Sequence, residues 1–391
     1  GIEEPFVEPK LIVWLAGSWV LILWAFLGDS VTFQRVVCKP VFWLAAYVLV
    51  NGMVRFHLPY TNRVLGAQTI TYNVYQWLPT LHVLTAILTL IVLAGRYLVS
   101  REHVAWVTKW LCYSSVAIAV CLLLQHVGWD QLYTQDLARA TTAGYLHRPY
   151  AGFGNAGMAA SWLAMTCPFF LLFKERRFLV FLGFVLIMLY FTHARFAQVA
   201  ALVSLGSYGG LRCWHVLPRT RLGLCIGSVL LLGVLAPVGL RHLKSDERWM
   251  LWSETLYQWR QPPKGITRPQ TLLGRGLQSW RDRFYLQTKT LRPETLAAIG
   301  TQKPLTAHND VLQALYELGL VGVALLVWSL TALVGNGLIA SSSAVGAGWL
   351  AALISLLIVS VTYFPWHCPP LAWVGTVIVA WHLRNPKESL A

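Results

Sequence analysis

The hydrophobic positions of this chain fall in long unbroken runs, not in a stripe recurring every third or fourth residue. Residues 345–363, for example, carry no charge, so a helix there is apolar on every side. Such a helix needs lipid or protein all around it. A bilayer crossing takes about 20 residues. Runs near that length lie at 11–28, 36–54, 74–95, 103–126, 155–173, 178–193, 195–213, 222–240, 313–334, 345–363 and 367–384. They predict eleven membrane helices, of which 178–193 is short enough to be tilted or partly re-entrant. No alternating strand pattern and no internal repeat accompanies them. The predicted fold class is an all-α, polytopic integral membrane protein of about 11–12 transmembrane helices.

Short loops that retain Lys and Arg mark the cytoplasmic side. Arg35 with Lys39, Arg96 with Arg101, Lys174 with Arg176 and Arg177, Arg212 with Arg219 and Arg221, and Arg384 with Lys387 alternate onto one side. Reading that side as cytoplasm leaves the acidic start, Glu3, Glu4 and Glu8, outside. An odd number of spans with an outside start implies one further helix ahead of Gly1. The opening Gly-Ile-Glu-Glu carries no Met, and no cleavable secretory signal follows it. The organisation expected is an N-terminal helix region at 1–240, a long outside loop at 241–312 with short helices, and C-terminal helices at 313–391. Within the loop, Ser245-Asp246-Glu247 signals a helix start and Pro262-Pro263 its end, and Pro293-Glu294 signals another short helix.

Composition supports the membrane reading: 56% of residues are hydrophobic and 12% charged, against about 25% charged in soluble domains. Mean hydropathy is +0.55. The 19 Trp and 15 Tyr fit residues that settle at membrane–water boundaries. Net charge is +15. Much of it lies in the long loop, as Arg241, Lys244, Arg248, Arg260, Lys264, Arg268, Arg275, Arg281, Arg283, Lys289, Arg292 and Lys303. Acids up to residue 307 are only Asp246, Glu247, Glu254, Asp282 and Glu294. Loops beyond about 60 residues do not set orientation, so this surplus points to an anionic ligand. Phosphate or pyrophosphate on a membrane-bound substrate suits the arginine fork. Nucleic acid is not an expected partner.

The seven cysteines form no Cys-x-x-Cys pair and read as small packing residues. Gly152-Phe153-Gly154-Asn155-Ala156-Gly157 matches a dinucleotide pattern only on paper, because it leads into a membrane helix. Its glycines are expected to permit a tight turn there. Arg195 stands in Thr192-His193-Ala194-Arg195 between two apolar runs, either reaching to the headgroups or, with Thr192, His193 and Gln198, facing a polar cavity. Arg248 opens the loop helix, and Arg275 lies between Gly274 and Gly276, which could let backbone approach a ligand. His308 precedes Asn309, a potential helix cap, and Asp310, which suits a positive helix start. An imidazole there is a candidate general base, or simply an interfacial side chain. There is no His-Glu-x-x-His, Asp-x-Asp, phosphate-binding loop or serine elbow, so neither a metal nor any other cofactor is expected.

Together these pieces resemble the bacterial O-antigen ligase superfamily. His308-Asn309, Leu312-Gln313 and Glu317-Leu318-Gly319-Leu320-Val321-Gly322 are similar to the family's signature at the end of its long periplasmic loop. Thr192–Arg195 resembles its Ser-Arg motif with Ala194 in the serine's place, and Glu247-Arg248-Trp249 through Gly274-Arg275-Gly276 resembles its Arg…Trp…Gly-x-Gly run. Gly152 to Pro168, with Asn155, is similar to a Gly…Asn…Pro helix start. The resemblance covers about 150–335. It implies a GT-C-like membrane glycosyltransferase in the bacterial inner membrane, its active site facing the periplasm.

The implied donor is a glycan on undecaprenyl pyrophosphate, and for the ligase branch the acceptor is lipid A-core. His308 is the implied base, with Arg195, Arg248 and Arg275 on the pyrophosphate and Asn309 in support. The implied reaction is an inverting displacement in lipopolysaccharide biosynthesis. O-antigen polymerases and protein O-oligosaccharyltransferases share the motifs and remain alternatives, as does a lipid-linked glycan flippase, although flippases of this kind often carry internal repeats.

Overall fold

A computed structural model describes residues 100–129, 149–153, 155–216, 247–260, 270–276, 279–281, 291–299, 307–363 and 365–383, with Thr89 and Leu98. The expected spans at 11–28, 36–54, 74–95 and 222–240 lie outside these residues, Thr89 apart. The described part is all-α. Its principal helices are α1 (Arg101–His126), α2 (Ala156–Phe170), α3 (Arg176–Phe191), α4 (Arg195–Val216), α5 (Glu247–Arg260), α6 (Pro293–Ile299), α7 (Asp310–Ala340), α8 (Ala344–Thr362) and α9 (Pro369–Leu383). Short helical turns stand at Gln270–Leu273, Ser279–Arg281 and Pro365–His367.

Among the described residues α1, α7 and α8 are long and apolar enough to cross a membrane, and α2 and α9 are shorter apolar helices. The architecture is that of a multi-pass membrane helical bundle. Exposed side chains agree with it: Trp106, Trp110, Leu179, Val180, Leu202, Val327 and Trp328 are all more than half exposed. Water penalises such surfaces, whereas lipid tails accept them.

The chain packs as two units. The first takes its described residues from 98–216 and 333–383, and the second from 247–332 together with Thr89. Thus α7 begins in the second unit and ends in the first.

In the first unit, α2 is buried along almost its whole length and packs against α1, α4 and α8. Small residues make that possible: Ala159, Ala160 and Ala164 on α2, Ala197, Ala200 and Ala201 on α4, and Ala347, Ala351 and Ala352 on α8 are all buried. Small side chains let helix backbones approach, so dispersion and shape hold helices together where no water is displaced. A buried polar cluster adds direction. Trp162 Nε1 donates to Ser115 Oγ at 3.1 Å, and Ser115 and Thr166 hydroxyls meet at 2.7 Å. Phe169 lies 4.7 Å from Trp349, which stacks on Trp381 at 5.4 Å.

The turns are fixed locally. Asn155 caps α2 by accepting from Gly157 N at 2.7 Å. A methyl group on Gly157 would overlap the Tyr363 ring, so the glycine serves helix packing here. Buried Gln125 at the end of α1 accepts from the backbone N–H of Tyr150 and Ala151, both at 2.8 Å. Ser343 caps α8 through Gly346 N at 2.9 Å. A Cβ on Gly346 would collide with the Ala340 carbonyl.

Gly346→Ala should therefore destabilise the bundle by about 1–3 kcal/mol, the usual cost of overpacking. Gly183→Ala, where a Cβ meets open space within α3, should stabilise by about 0.5–1 kcal/mol. Thermal unfolding of the detergent-solubilised protein measures both, and opposite signs are expected.

Candidate functional site

Three of the sequence candidates, Arg248, Arg275 and His308, lie in the second unit, and the helices there explain how each is held. Helix α5 buries Leu251, Glu254, Thr255 and Gln258, which recur at helical spacing on one face. A wholly buried carboxylate is costly unless paired. Glu254 is paired thoroughly: Oε2 accepts from Arg292 Nε at 2.6 Å and from the Thr295 hydroxyl at 2.9 Å, and Oε1 accepts from Gln258 Nε2 at 2.8 Å. Arg292 also donates to Ser253 Oγ at 3.0 Å. This joins α5 to α6. Buried Trp280 donates to Thr255 Oγ1 at 2.9 Å and belongs to a core with Leu251, Leu291, Ala307 and Tyr316.

The α5 assembly is fastened to α7 by backbone. Helix α7 breaks at Gly319, whose φ of 69° and ψ of −168° are not helical. A break orphans carbonyls in the turn before it. Two of these accept from the neighbouring loop: Tyr316 O from Arg275 N at 3.3 Å, and Glu317 O from Gly276 N at 2.8 Å. Gly274 and Gly319 both have positive φ, and a Cβ on either would overlap the other strand of chain. Gly274 thus makes its close approach to the chain's own backbone at Glu317 and Leu318.

Arg275 is engaged inside this junction. Its guanidinium donates to the Gln258 carbonyl, donates to Tyr316 Oη at 3.3 Å, and stacks 4.7 Å from the Tyr316 ring centroid. These contacts tie α5 to α7.

His308 is half-buried and sits at φ 52°, a conformation that costs a non-glycine residue of order 1–3 kcal/mol and persists only where neighbours enforce it. The neighbours do so from both sides. Ala307 O accepts from Trp252 Nε1 at 3.0 Å, and Ala307 N donates to Gln313 Oε1 at 3.2 Å. Gln313 Nε2 in turn donates to Glu317 Oε1 at 3.2 Å. On the other side, Asn309 is buried and caps α7, its Oδ1 accepting from Leu312 N at 3.0 Å. The cap expected from the sequence is the one found. Arg248, half-buried on the first turn of α5, precedes Trp252 by one helical turn on the same side. The Trp252–Ala307 bond therefore joins the helix that carries Arg248 to the segment that carries His308.

Arg195 belongs to the first unit, where it is the exposed first residue of α4. His193, two residues before it, also has φ 52°. Of the three polar neighbours expected to form a cavity with Arg195, Thr192 and Gln198 bond to the backbone. Thr192 Oγ1 donates to Leu189 O at 2.7 Å, and Gln198 Nε2 donates to Leu189 O at 3.3 Å and Tyr190 O at 3.2 Å. The cause is the end of α3, whose last carbonyls lack helical partners and capture nearby donors.

Sequence reasoning did not single out Glu254, Arg292 or Trp280. Glu254 was legible only as one of few acids in a basic loop, and its partner lies 38 residues away. Among the described residues no three His, Cys, Asp or Glu side chains converge. No protein-family model matches the chain, and no curated protein matches it.

Gly319→Ala and Gly274→Ala should each cost more than about 2 kcal/mol, since strain at positive φ adds to backbone overlap. Gly128→Ala, at φ 78° in open space, should cost only about 1 kcal/mol. Thermal melts of the three variants rank them.

Proposed function

We propose that this chain is a membrane glycosyltransferase of the O-antigen ligase type, transferring a glycan from undecaprenyl pyrophosphate to a sugar hydroxyl of lipid A-core. One observation carries the reading beyond the sequence resemblance. His308 is held in a left-handed conformation between Ala307, bonded to Trp252, and Asn309, the cap of α7, with Arg248 one turn from that Trp252. Strained, over-determined residues concentrate where function needs fixed geometry.

In this proposal His308 takes the proton of the acceptor hydroxyl. The freed oxygen attacks the anomeric carbon, the bond to pyrophosphate breaks, and the configuration inverts. Arg248 holds the pyrophosphate and stabilises charge growing on the leaving group, as a fixed cation with paired donors. Asn309 orients His308 by fixing the helix start. Arg275 is assigned a positioning role instead, because its guanidinium already bonds Gln258 O and Tyr316 Oη.

The test is glycan transfer in proteoliposomes containing lipid-linked glycan and lipid A-core, with products weighed by mass spectrometry. Glycan on lipid A-core is expected, falling by about 10²–10⁴-fold in His308→Ala. Full activity in that variant removes the assigned base, and a product of retained configuration removes direct displacement. Longer glycans still on undecaprenyl pyrophosphate identify a polymerase, and glycan movement without a new glycosidic bond identifies a flippase.

Arg248→Ala should lower transfer by about 10²–10³-fold, beyond any loss that its melting temperature accounts for. Arg275→Ala should lower the melting temperature and transfer together. Melting curves and initial rates on the same preparations separate the two roles.

A further inference from the structure

Helix α5 buries polar side chains as well as apolar ones. Its buried face carries Glu254, Thr255 and Gln258 beside Leu251. The opposite face, following helical spacing through 249, 253, 256, 257 and 260, presents Trp249 at 38% exposure, Tyr257 at 42% and exposed Arg260. The adjoining turn adds Leu272 and Leu273, each 46% exposed. A helix bathed in water carries its polar side chains outward. Trp and Tyr next to arginine match the headgroup zone of a bilayer, where a ring meets acyl chains and a polar edge or guanidinium meets phosphate.

The attachment of α5 places it at that depth. Its assembly is fastened to α7 at Tyr316 and Glu317, immediately before the break at Gly319. From Gly319 to Ala340, α7 has no charged residue, and this run supplies the roughly 20 residues that cross the hydrocarbon. Leu320 is 47% exposed just past the break, and Val327 and Trp328 are exposed further along. The fastening point therefore stands at one boundary of the hydrocarbon layer. The surplus of Lys and Arg over Asp and Glu between 241 and 307 complements lipid phosphates.

We infer that the Trp249, Tyr257 and Arg260 face of α5, with Leu272 and Leu273, rests on the phospholipid surface. Contact there holds the His308 assembly against the membrane, in reach of a lipid-borne substrate. The contact itself requires phospholipid only and is independent of the glycan chemistry proposed above.

Photo-crosslinking of the full chain tests it. Trp249→p-benzoylphenylalanine and Tyr257→p-benzoylphenylalanine variants are reconstituted in vesicles of phosphatidylethanolamine and phosphatidylglycerol without any glycan. Trp328→p-benzoylphenylalanine, on the exposed side of α7, is the lipid-facing reference. Phospholipid adducts are expected at 249 and 257 as at 328, with yields at 249 and 257 rising with the phosphatidylglycerol share and falling with salt. Adducts at 328 but none at 249 or 257 overturn the inference, as does crosslinking of 249 and 257 to a second copy of the chain. Because no glycan is present, either result leaves the transfer assay to be judged separately.

Discussion

Two backbone segments cross at Gly274 and Gly319 with no room for a side chain on either. The loop that bears the candidate residues depends on this crossing. The break in α7 at Gly319 exposes carbonyls that the Gly274–Gly276 turn satisfies. Backbone groups buried away from water must find partners, so the turn and the break stabilise one another. Arg275, placed between the two glycines, then reaches Gln258 and Tyr316 and locks α5 against α7. The described parts of the loop, α5 and the Gly274–Gly276 turn, are thereby held at the start of α7.

The buried Glu254 shows what kind of interior this platform has. Its carboxylate is tied to Arg292, Thr295 and Gln258, so a polar network connects α5 and α6 beside the apolar cluster that includes Leu251, Trp252, Trp259 and Leu296. Such networks define a single arrangement because a half-satisfied charge is strongly unfavourable. The aromatic residues left on the outer face of α5 are the complement of this inward polarity. Rigidity at the junction also accounts for His308: its positive φ needs the Trp252–Ala307 bond on one side and the Asn309 cap on the other.

The first unit solves a different problem. Its helices have little polarity to direct them, and alanine-lined contacts among α2, α4 and α8 supply closeness in place of hydrophobic drive. Arg195 lies on this frame at the start of α4, with Thr192 and Gln198 spent on the carbonyls that close α3.

Membrane character, helices at seven of the eleven expected positions and the two short helices within the loop were all legible in the sequence. So was the Asn309 cap, because capping depends on a few adjacent residues. Uncharged runs of sufficient length leave a chain few alternatives in lipid. Other properties depended on residues far apart in the chain. That Gly274 and Gly319 meet, that Glu254 pairs with Arg292, and that Arg275 turns inward are facts of packing between segments separated by dozens of residues. Glycine in a sequence announces freedom but not what fills the space beside it. An arginine likewise announces a cation but not whether a carbonyl, a ring or an anion receives it. Composition and local pattern determined where this chain meets the membrane, while tertiary contacts decided which of its polar groups are consumed in holding the fold.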